Sequence, residues 1–335
     1  MLIDNFGRVH RNLRISVTDR CNIRCFYCMP AGDVAFAPRT ALLTFEEITR
    51  VVRILVAQGI TGLRLTGGEP LVRKDIPRLV AMLAAIDGVN DLAMTTNGIL
   101  LPGLAEQLRK AGLRRLNISL DTVDEETFRK ITRREGVDRV LRGIDAAIDA
   151  GFDSIRLNAL AIRGLTESQI ESLIRFAAPR GLTMRFIEFM PLDADQAWRD
   201  DKVLGGDELL ARVESQFGRV VPIDPPRPSQ PSRDYELADQ PLNRDGKRPR
   251  VGIIRPVSAP FCGDCDRLRL TAEGMIRNCL FSQEEWDARA LLRSGATDDD
   301  LLEQFRVAVA NKRAGHQIQS PGFLPPERPM FQIGG

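Results

Sequence analysis

Short apolar runs alternate with longer amphipathic stretches from residue 13 to about residue 190, and this alternation is the first legible feature of the chain. Six runs read as strands: LRISVT (13–18), GLRLTGG (62–68), DLAMTTNG (91–98), LRRLNISLD (113–121), SIRLNALAI (154–162) and LTMRFIEFM (182–190). Helical spacing fills the gaps between them. In TFEEITRVVRILVAQG (44–59), the apolar residues Ile48, Val51, Val52, Leu55 and Val56 recur at helical intervals. Thr44 and Glu47 are spaced as a capping box at its start, and Gly59 suits its stop. Residues 124–151 predict more than one helix, ending at Gly151. Strand–helix repeats of this kind imply a parallel sheet with right-handed crossovers, either a barrel-like array or an open sheet.

The strands carry a second pattern. A parallel strand covered on both faces is a continuous apolar run, but four of these alternate. Leu13, Ile15 and Val17 interleave with Arg14, Ser16 and Thr18, and Leu63 and Leu65 flank Arg64. Leu116, Ile118 and Leu120 interleave with Asn117, Ser119 and Asp121, and Ile155 and Leu157 with Arg156 and Asn158. A period of two sends the two sets to opposite faces. The apolar set packs on helices, so the polar set faces the lumen of a curved sheet. That lining predicts a cavity for a polar, anionic ligand, unlike the packed interior of an eight-stranded barrel. The competing reading is a sheet with one solvated face.

Beyond about residue 215 the pattern changes. Residues 222–250 are rich in proline and charge and predict no long regular element. Residues 251–281 predict a strand and hairpin region, followed by helices near 284–294 and 297–312 and a proline-rich end. The expected division is a strand–helix domain over 1–214 and a smaller C-terminal domain over 215–335.

Composition narrows the function classes. The chain has 335 residues, 43% hydrophobic and 27% charged, as soluble globular proteins do. Its 47 basic and 45 acidic residues leave a net charge of +2, so no global field draws it to nucleic acid, and any basic site must be local. The N-terminus lacks the apolar run of a signal peptide, and no window approaches a membrane span. A cytoplasmic protein with no membrane attachment and with reduced cysteines is the expectation.

The six cysteines fall into two triads: Cys21, Cys25 and Cys28 as C-x3-C-x2-C, and Cys262, Cys265 and Cys279 as C-x2-C-x13-C. A structural zinc site wants four ligands, and neither His10 nor His316 has ligand spacing to a triad. Iron–sulfur cubes are held by cysteine thiolates, and three ligands leave one iron open for another molecule. Two such clusters are predicted. A zinc-dependent RNA- or protein-binding module is the alternative of another class. The missing fourth ligand and only 6% aromatic residues for stacking stand against it.

The cysteine loop after a first strand, Tyr27 before its third cysteine, and GGEP (67–70) closing the second strand together resemble the radical S-adenosylmethionine (SAM) superfamily. That resemblance implies a first [4Fe-4S] cluster whose open iron chelates SAM, with cofactor contacts at Tyr27, Gly68, Ser119 and Met190. More widely, LRISVTDRCNIRCFYCMP, LRLTGGEPLVRKD, TTNG, LNISLDT, RFIEFMP, FCGDCDRLRLTAEG and the terminal IGG make the chain similar to the GTP 3′,8-cyclase family of molybdenum cofactor biosynthesis. The family implies an α/β fold, a partial (β/α)6 TIM-like barrel whose C-terminal α+β extension closes the mouth. It implies a lyase that makes (8S)-3′,8-cyclo-7,8-dihydroguanosine 5′-triphosphate from GTP after a 5′-deoxyadenosyl radical takes the hydrogen from C3′. A second [4Fe-4S] cluster on Cys262, Cys265 and Cys279 would contact the guanine.

Substrate contacts carried over from the family fall on Arg14, Arg64, Thr95, Arg156, Arg267, Leu268 and Arg269, with Arg156 standing where a lysine is expected. Catalytic support falls on Arg14, Arg267, Arg269 and the tail residues Gly334 and Gly335. Parity already sets Arg14, Arg64 and Arg156 on polar faces, and bidentate arginines suit a triphosphate. The family also implies a flavodoxin- or ferredoxin-type reductant, hand-over of product to cyclic pyranopterin monophosphate synthase, and a homodimer. A peptide-modifying radical enzyme is the rival within the same chemistry; such enzymes generally carry more C-terminal cysteines than three.

Overall fold

Each of the six apolar runs forms a strand in the computed structural model, which describes residues 1–334. They are β1 (Asn12–Ser16), β2 (Gly62–Thr66), β3 (Asp91–Thr96), β4 (Arg115–Ser119), β5 (Ser154–Ala161) and β6 (Thr183–Glu188), each paired in parallel with the next. The crossovers hold α1 (Phe45–Ala57), α2 (Ile76–Ala84), α3 (Ala105–Lys110), α4 (Glu125–Thr132), α5 (Val137–Asp149) and α6 (Ile170–Ala177). The capping box of α1 is made as its spacing predicts: Thr44 Oγ1 accepts from the Glu47 amide, and the Glu47 carboxylate accepts from the Thr44 amide. The stretch 124–151 divides between α4 and α5 because Arg133 turns left-handed, at φ 55°, after the first of them.

After α7 (Gly206–Phe217) the chain forms β7 (Val220–Ile223), β8 (Ser232–Leu237) and β9 (Arg250–Ile254), then β10 (Arg267–Leu270), β11 (Met275–Arg277) and β12 (Trp286–Asp287). β8 is a correction, since residues 222–250 were expected to hold no long regular element. Its six residues are drawn into a strand by antiparallel pairing with β7 and β9, a partnership that local composition does not carry. The helices α8 (Ala288–Ser294), α9 (Asp298–Ala310) and α10 (Met330–Ile333) complete the chain.

All twelve strands join one sheet in the order β12-β11-β10-β1-β2-β3-β4-β5-β6-β9-β8-β7. β10 extends it in parallel beside β1, and β9 does so beside β6. The sheet is therefore an unclosed, TIM-like partial barrel whose two flanks come from the C-terminal segment. Residue 214 itself lies within α7.

The apolar faces pack under the helices as parity requires. Ile15, Leu65, Met94, Ile118, Leu157 and Met184 have no exposed surface and share a core with Leu55, Leu79, Leu108 and Ile144. Each such side chain contributes about 1.5–3 kcal/mol of burial. A smaller cluster of Leu192, Val203, Val257, Phe281, Ile318 and Ile333 sits under the C-terminal segment and anchors the tail. Among the described residues no helix is long and apolar enough to cross a membrane.

Candidate functional site

The polar strand faces line a cavity of about 640 Å³. Sheet register orders its walls. Arg14 stands between Arg269 on β10 and Arg64 on β2. Thr95, Asn117 and Arg156 form a second row, and Ser119, Asn158 and Arg185 a third. Arg64 donates to Thr95 Oγ1 at 3.4 Å. Burial and Arg267 hold Arg14 down to about 10, burial and Arg185 do the same to Arg156, and burial with Arg14 and Arg115 draws Arg64 well below its usual value. The carboxylates near these arginines have partners of their own: Asp91 is taken by Arg115 through two hydrogen bonds, Asp234 pairs with Arg185 at 3.4 Å, and Asp266 Oδ2 accepts from Asn12. A wall of repelling cations with few counter-charges is a site prepared for an anion.

At the C-terminal ends of the strands the cysteine loop closes the cavity. Cys21, Cys25 and Cys28 are half-buried free thiols that line it together with Tyr27, Gly68, Ser119 and Met190. Burial pushes Cys21 up to about 11, Cys28 up to about 12 and Cys25 well above its usual value. Tyr27 donates to Asp121 Oδ2 at 2.5 Å, and Asp121 Oδ1 accepts from the Leu160 amide, so the aromatic ring is fixed by the end of β4. The glycines of GGEP serve the loop. Gly67 has φ 147°, and a Cβ there would lie 2.3 Å from the Thr18 carbonyl; at Gly68 it would lie 2.4 Å from that of Arg20.

Glu69 follows, 1% exposed. Its Oε1 accepts from the Leu71 amide and Thr96 Oγ1, and its Oε2 from the Asn97 amide, while burial raises its carboxyl to about 7 against those bonds. Asn97 then donates to Cys21 Sγ at 3.8 Å. Glu69→Gln turns an amide N–H2 toward one of these donors. We expect a loss of about 1–3 kcal/mol in urea unfolding of the cluster-free protein; an unchanged midpoint would remove Glu69 as the post that ties GGEP to β3.

The second triad lies at the other end of the strands. Cys262 and Cys265 precede β10, which starts beside Asn12 at the beginning of β1. β11 runs antiparallel to β10 and returns Cys279 to the same end. The first triad follows the end of β1, so the strand's five residues, about 16 Å at 3.3 Å each, separate the two. Burial would raise the Cys265 thiol, but Arg267 and Lys312 outweigh it and hold Cys265 down to about 6. Arg267 lies over the Phe261 ring at 4.8 Å and reaches the cavity.

Not every expected site residue opens into this space. Leu268 pairs with Leu13 on the apolar face and is fully buried in the core, which leaves only its backbone for a ligand. Arg269 shares the polar face of Arg14 but is 4% exposed, because its guanidinium donates to the Gly334 carbonyl at 2.5 Å. Gly334, at φ 83°, fits where a Cβ would meet Thr66 Cγ2 at 2.8 Å; Gly335 lies outside the described residues. Met330 and Phe331 of the tail line the cavity. Sequence reasoning missed Arg185, Asp121, Asn97 and Lys312. Asp121 already stood in the polar set of its strand. Arg185 could have been found the same way, since it alternates with Met184 and Phe186 on β6.

The residues present fit two cysteine-ligated clusters and an anionic nucleotide. Each triad is all thiol, the ligand type that holds iron–sulfur clusters. Asn158 Oδ1, Arg185 Nε and Arg267 Nε are buried at the cavity wall without partners, as polar groups awaiting a ligand would be.

Comparison with known proteins agrees. Residues 15–177 match the Radical SAM superfamily, and residues 182–318 match Molybdenum Cofactor Synthesis C. The GTP 3′,8-cyclase of Rhodopirellula baltica is 57% identical over 335 residues, covering all of this chain and 92% of that protein. That of Mycolicibacterium smegmatis is 45% identical over 337 residues, with coverage of 100% and 92%. Among solved structures, Streptococcus suis SuiB bound to S-adenosylmethionine superposes with a TM-score of 0.61 at 17% identity, over 89% of this chain and 68% of that one. Methylornithine synthase gives 0.53 at 17% identity, over 89% and 86%. At these identities the structures speak for the fold alone.

Proposed function

We infer the function of this protein from a plain premise: the chain belongs to the GTP 3′,8-cyclase family of the radical SAM superfamily. It converts GTP to (8S)-3′,8-cyclo-7,8-dihydroguanosine 5′-triphosphate, the first step of molybdenum cofactor biosynthesis, and uses two [4Fe-4S] clusters and SAM. The observation that carries this reading is a single cavity that joins a three-thiol loop to rows of arginines. A peptide-modifying enzyme has no use for those rows, and a zinc module has no use for the loop.

When bound, the first cluster with SAM would supply 5′-deoxyadenosyl radical chemistry, and the second would serve the substrate end of the cavity. The chain's own residues supply position. Cys21, Cys25 and Cys28 hold the first cluster, and the backbone of Gly68 with the side chains of Tyr27, Ser119 and Met190 seats the cofactor at the strand ends. Arg14, Arg64, Arg156 and Arg267 bind the triphosphate, Thr95 adds a hydroxyl, and Cys262, Cys265 and Cys279 hold the second cluster. The rows of arginines lie along the strands between the triads, where they would orient a nucleotide and restrict which of its hydrogens is presented to the first cluster's end. Arg269 acts through the tail, because its bond to Gly334 keeps Met330 and Phe331 at the wall and water out. Charge at Arg156 is retained relative to a lysine, with a forked rather than a point contact.

The reading extends to a flavodoxin- or ferredoxin-type electron donor, a cytoplasmic setting, a homodimer, and a synthase of cyclic pyranopterin monophosphate as the consumer of the product. The test is anaerobic incubation of the reconstituted, reduced protein with SAM and GTP. 5′-Deoxyadenosine and a cyclised nucleotide should form together. Deoxyadenosine without loss of GTP would reject the substrate while keeping the radical class.

A further inference from the structure

Lys312, just after α9, is a buried amine to which the reaction as described gives no role. It is 4% exposed. Its Nζ lies 2.9 Å from His10 Nε2, 2.9 Å from the Arg267 carbonyl, 3.2 Å from the Cys265 carbonyl and 3.6 Å from Cys265 Sγ. The two carbonyls and the sulfur accept from it, and His10 Nε2 does so in the tautomer protonated at Nδ1, so the amine's three N–H donors are shared among four neighbours. No carboxylate forms an ion pair with it among the described residues. A buried cation needs a counter-charge, and a cluster-bound Cys265 thiolate, 3.6 Å from Nζ, would supply it.

The surroundings brace this contact. Asp4 Oδ2 accepts from Arg8 Nε at 2.6 Å and lies 3.8 Å from His10 Nε2. Arg8 also donates to the Cys262 carbonyl at 2.7 Å, to the Ala314 carbonyl at 3.0 Å and to the Arg313 carbonyl at 2.8 Å. The first ten residues and the segment after α9 thus grip the backs of two thiols of the second triad, and the same Lys312 holds the first residue of β10.

We propose that Lys312 is a positioning residue of the cyclisation: it sets the reduction potential of the second cluster and fixes the backbone from which Arg267 enters the cavity. One-electron reduction adds a negative charge to the cluster, and an N–H donor with positive charge at one sulfur stabilises that added charge. The neutral variant makes the cluster harder to reduce. The proposal rests on the reading that Cys262, Cys265 and Cys279 hold a cluster.

The experiment compares the wild type, Lys312→Met and Lys312→Arg, each full-length and reconstituted anaerobically, by iron content and by dithionite titration followed by electron paramagnetic resonance. We expect Lys312→Met to shift the second cluster to more negative potential by at least tenfold in its reduced-to-oxidised ratio, about 59 mV for one electron. The first cluster should stay in place, and Lys312→Arg should recover most of the shift. Loss of the second cluster's iron alone from Lys312→Met, with both clusters loaded in Lys312→Arg, supports the same role in a stronger form. An unchanged second cluster in Lys312→Met overturns the proposal. So does an equal shift or iron loss at both clusters, or a Lys312→Arg protein displaced as far as Lys312→Met. A wild type that takes up only about four irons fails at the cluster reading itself, before any variant is compared.

Discussion

Cys25→Ala and Cys265→Ala proteins should each hold about four irons where the wild type holds about eight, yet fail at different steps. The Cys25 variant should release no 5′-deoxyadenosine under any condition. The Cys265 variant should still cleave SAM but give no cyclised nucleotide. This dissociation follows from topology, because the triads stand at opposite ends of β1, one beyond its last residue and one beside its first. It follows also from chemistry. Cys25 is pushed well above the usual thiol range by burial, then by Asp121 and its sister cysteines, so metal binding, which displaces the thiol proton to solvent, is what makes it a thiolate. Removing it deprives the first cluster of a ligand that nothing nearby replaces. The Cys265 change leaves that end of the cavity untouched. Iron counts, deoxyadenosine and nucleotide products are measured on the same samples. Cyclised nucleotide at the wild-type rate from the Cys265 variant would show that the second triad does not serve the substrate.

Much of this site is legible in the chain because two of its signals are local. Period two along β1, β2, β4 and β5 separates the arginines from the leucines without knowledge of any neighbour. Six cysteines falling as three and three point to clusters by count alone. Leu268 shows how a motif carried over whole can mislead. Lying between Arg267 and Arg269, it belongs by the same parity to the apolar face, and it does pack beside Leu13. What stayed hidden depends on partners distant in sequence. Lys312 meets His10 across 302 residues and Cys265 across 47. Arg269 faces the expected way but is claimed by the tail, and no local pattern announces that Gly334 will come to it. β8 likewise exists through its pairing, since residues 222–250 read as irregular until β7 and β9 are beside them.

Arg64→Met should weaken GTP binding while making the ligand-free protein more stable. Arg64 is half-buried at the cavity wall between β1 and β3, and among the described residues its one hydrogen bond to protein, to Thr95, is long at 3.4 Å. Burial opposes its charge first, and Arg14, Arg115 and Arg156 oppose it further, with Asp91 acting the other way. A cation whose folded pKa lies below its unfolded one is disfavoured by folding throughout the range in which it is charged. An unbranched apolar side chain removes that penalty while keeping the aliphatic stem, and apolar replacement of buried ionic groups often stabilises, by about 1–4 kcal/mol where the volume is matched. With a triphosphate present the balance reverses, because the same guanidinium gains charge-assisted hydrogen bonds of about 1.5–3 kcal/mol, or roughly 10- to 150-fold in affinity. Thermal unfolding with and without GTP reads both effects. The melting temperature without ligand should rise, and the increment produced by GTP, about 2.7 kcal/mol at a hundred times the wild-type dissociation constant, should fall to about 0.3–1.4 kcal/mol at the same concentration. A variant that keeps the full GTP increment would take Arg64 out of the nucleotide site. One that melts lower without ligand would mean that the arginine wall is held by the protein alone and not kept charged for its substrate.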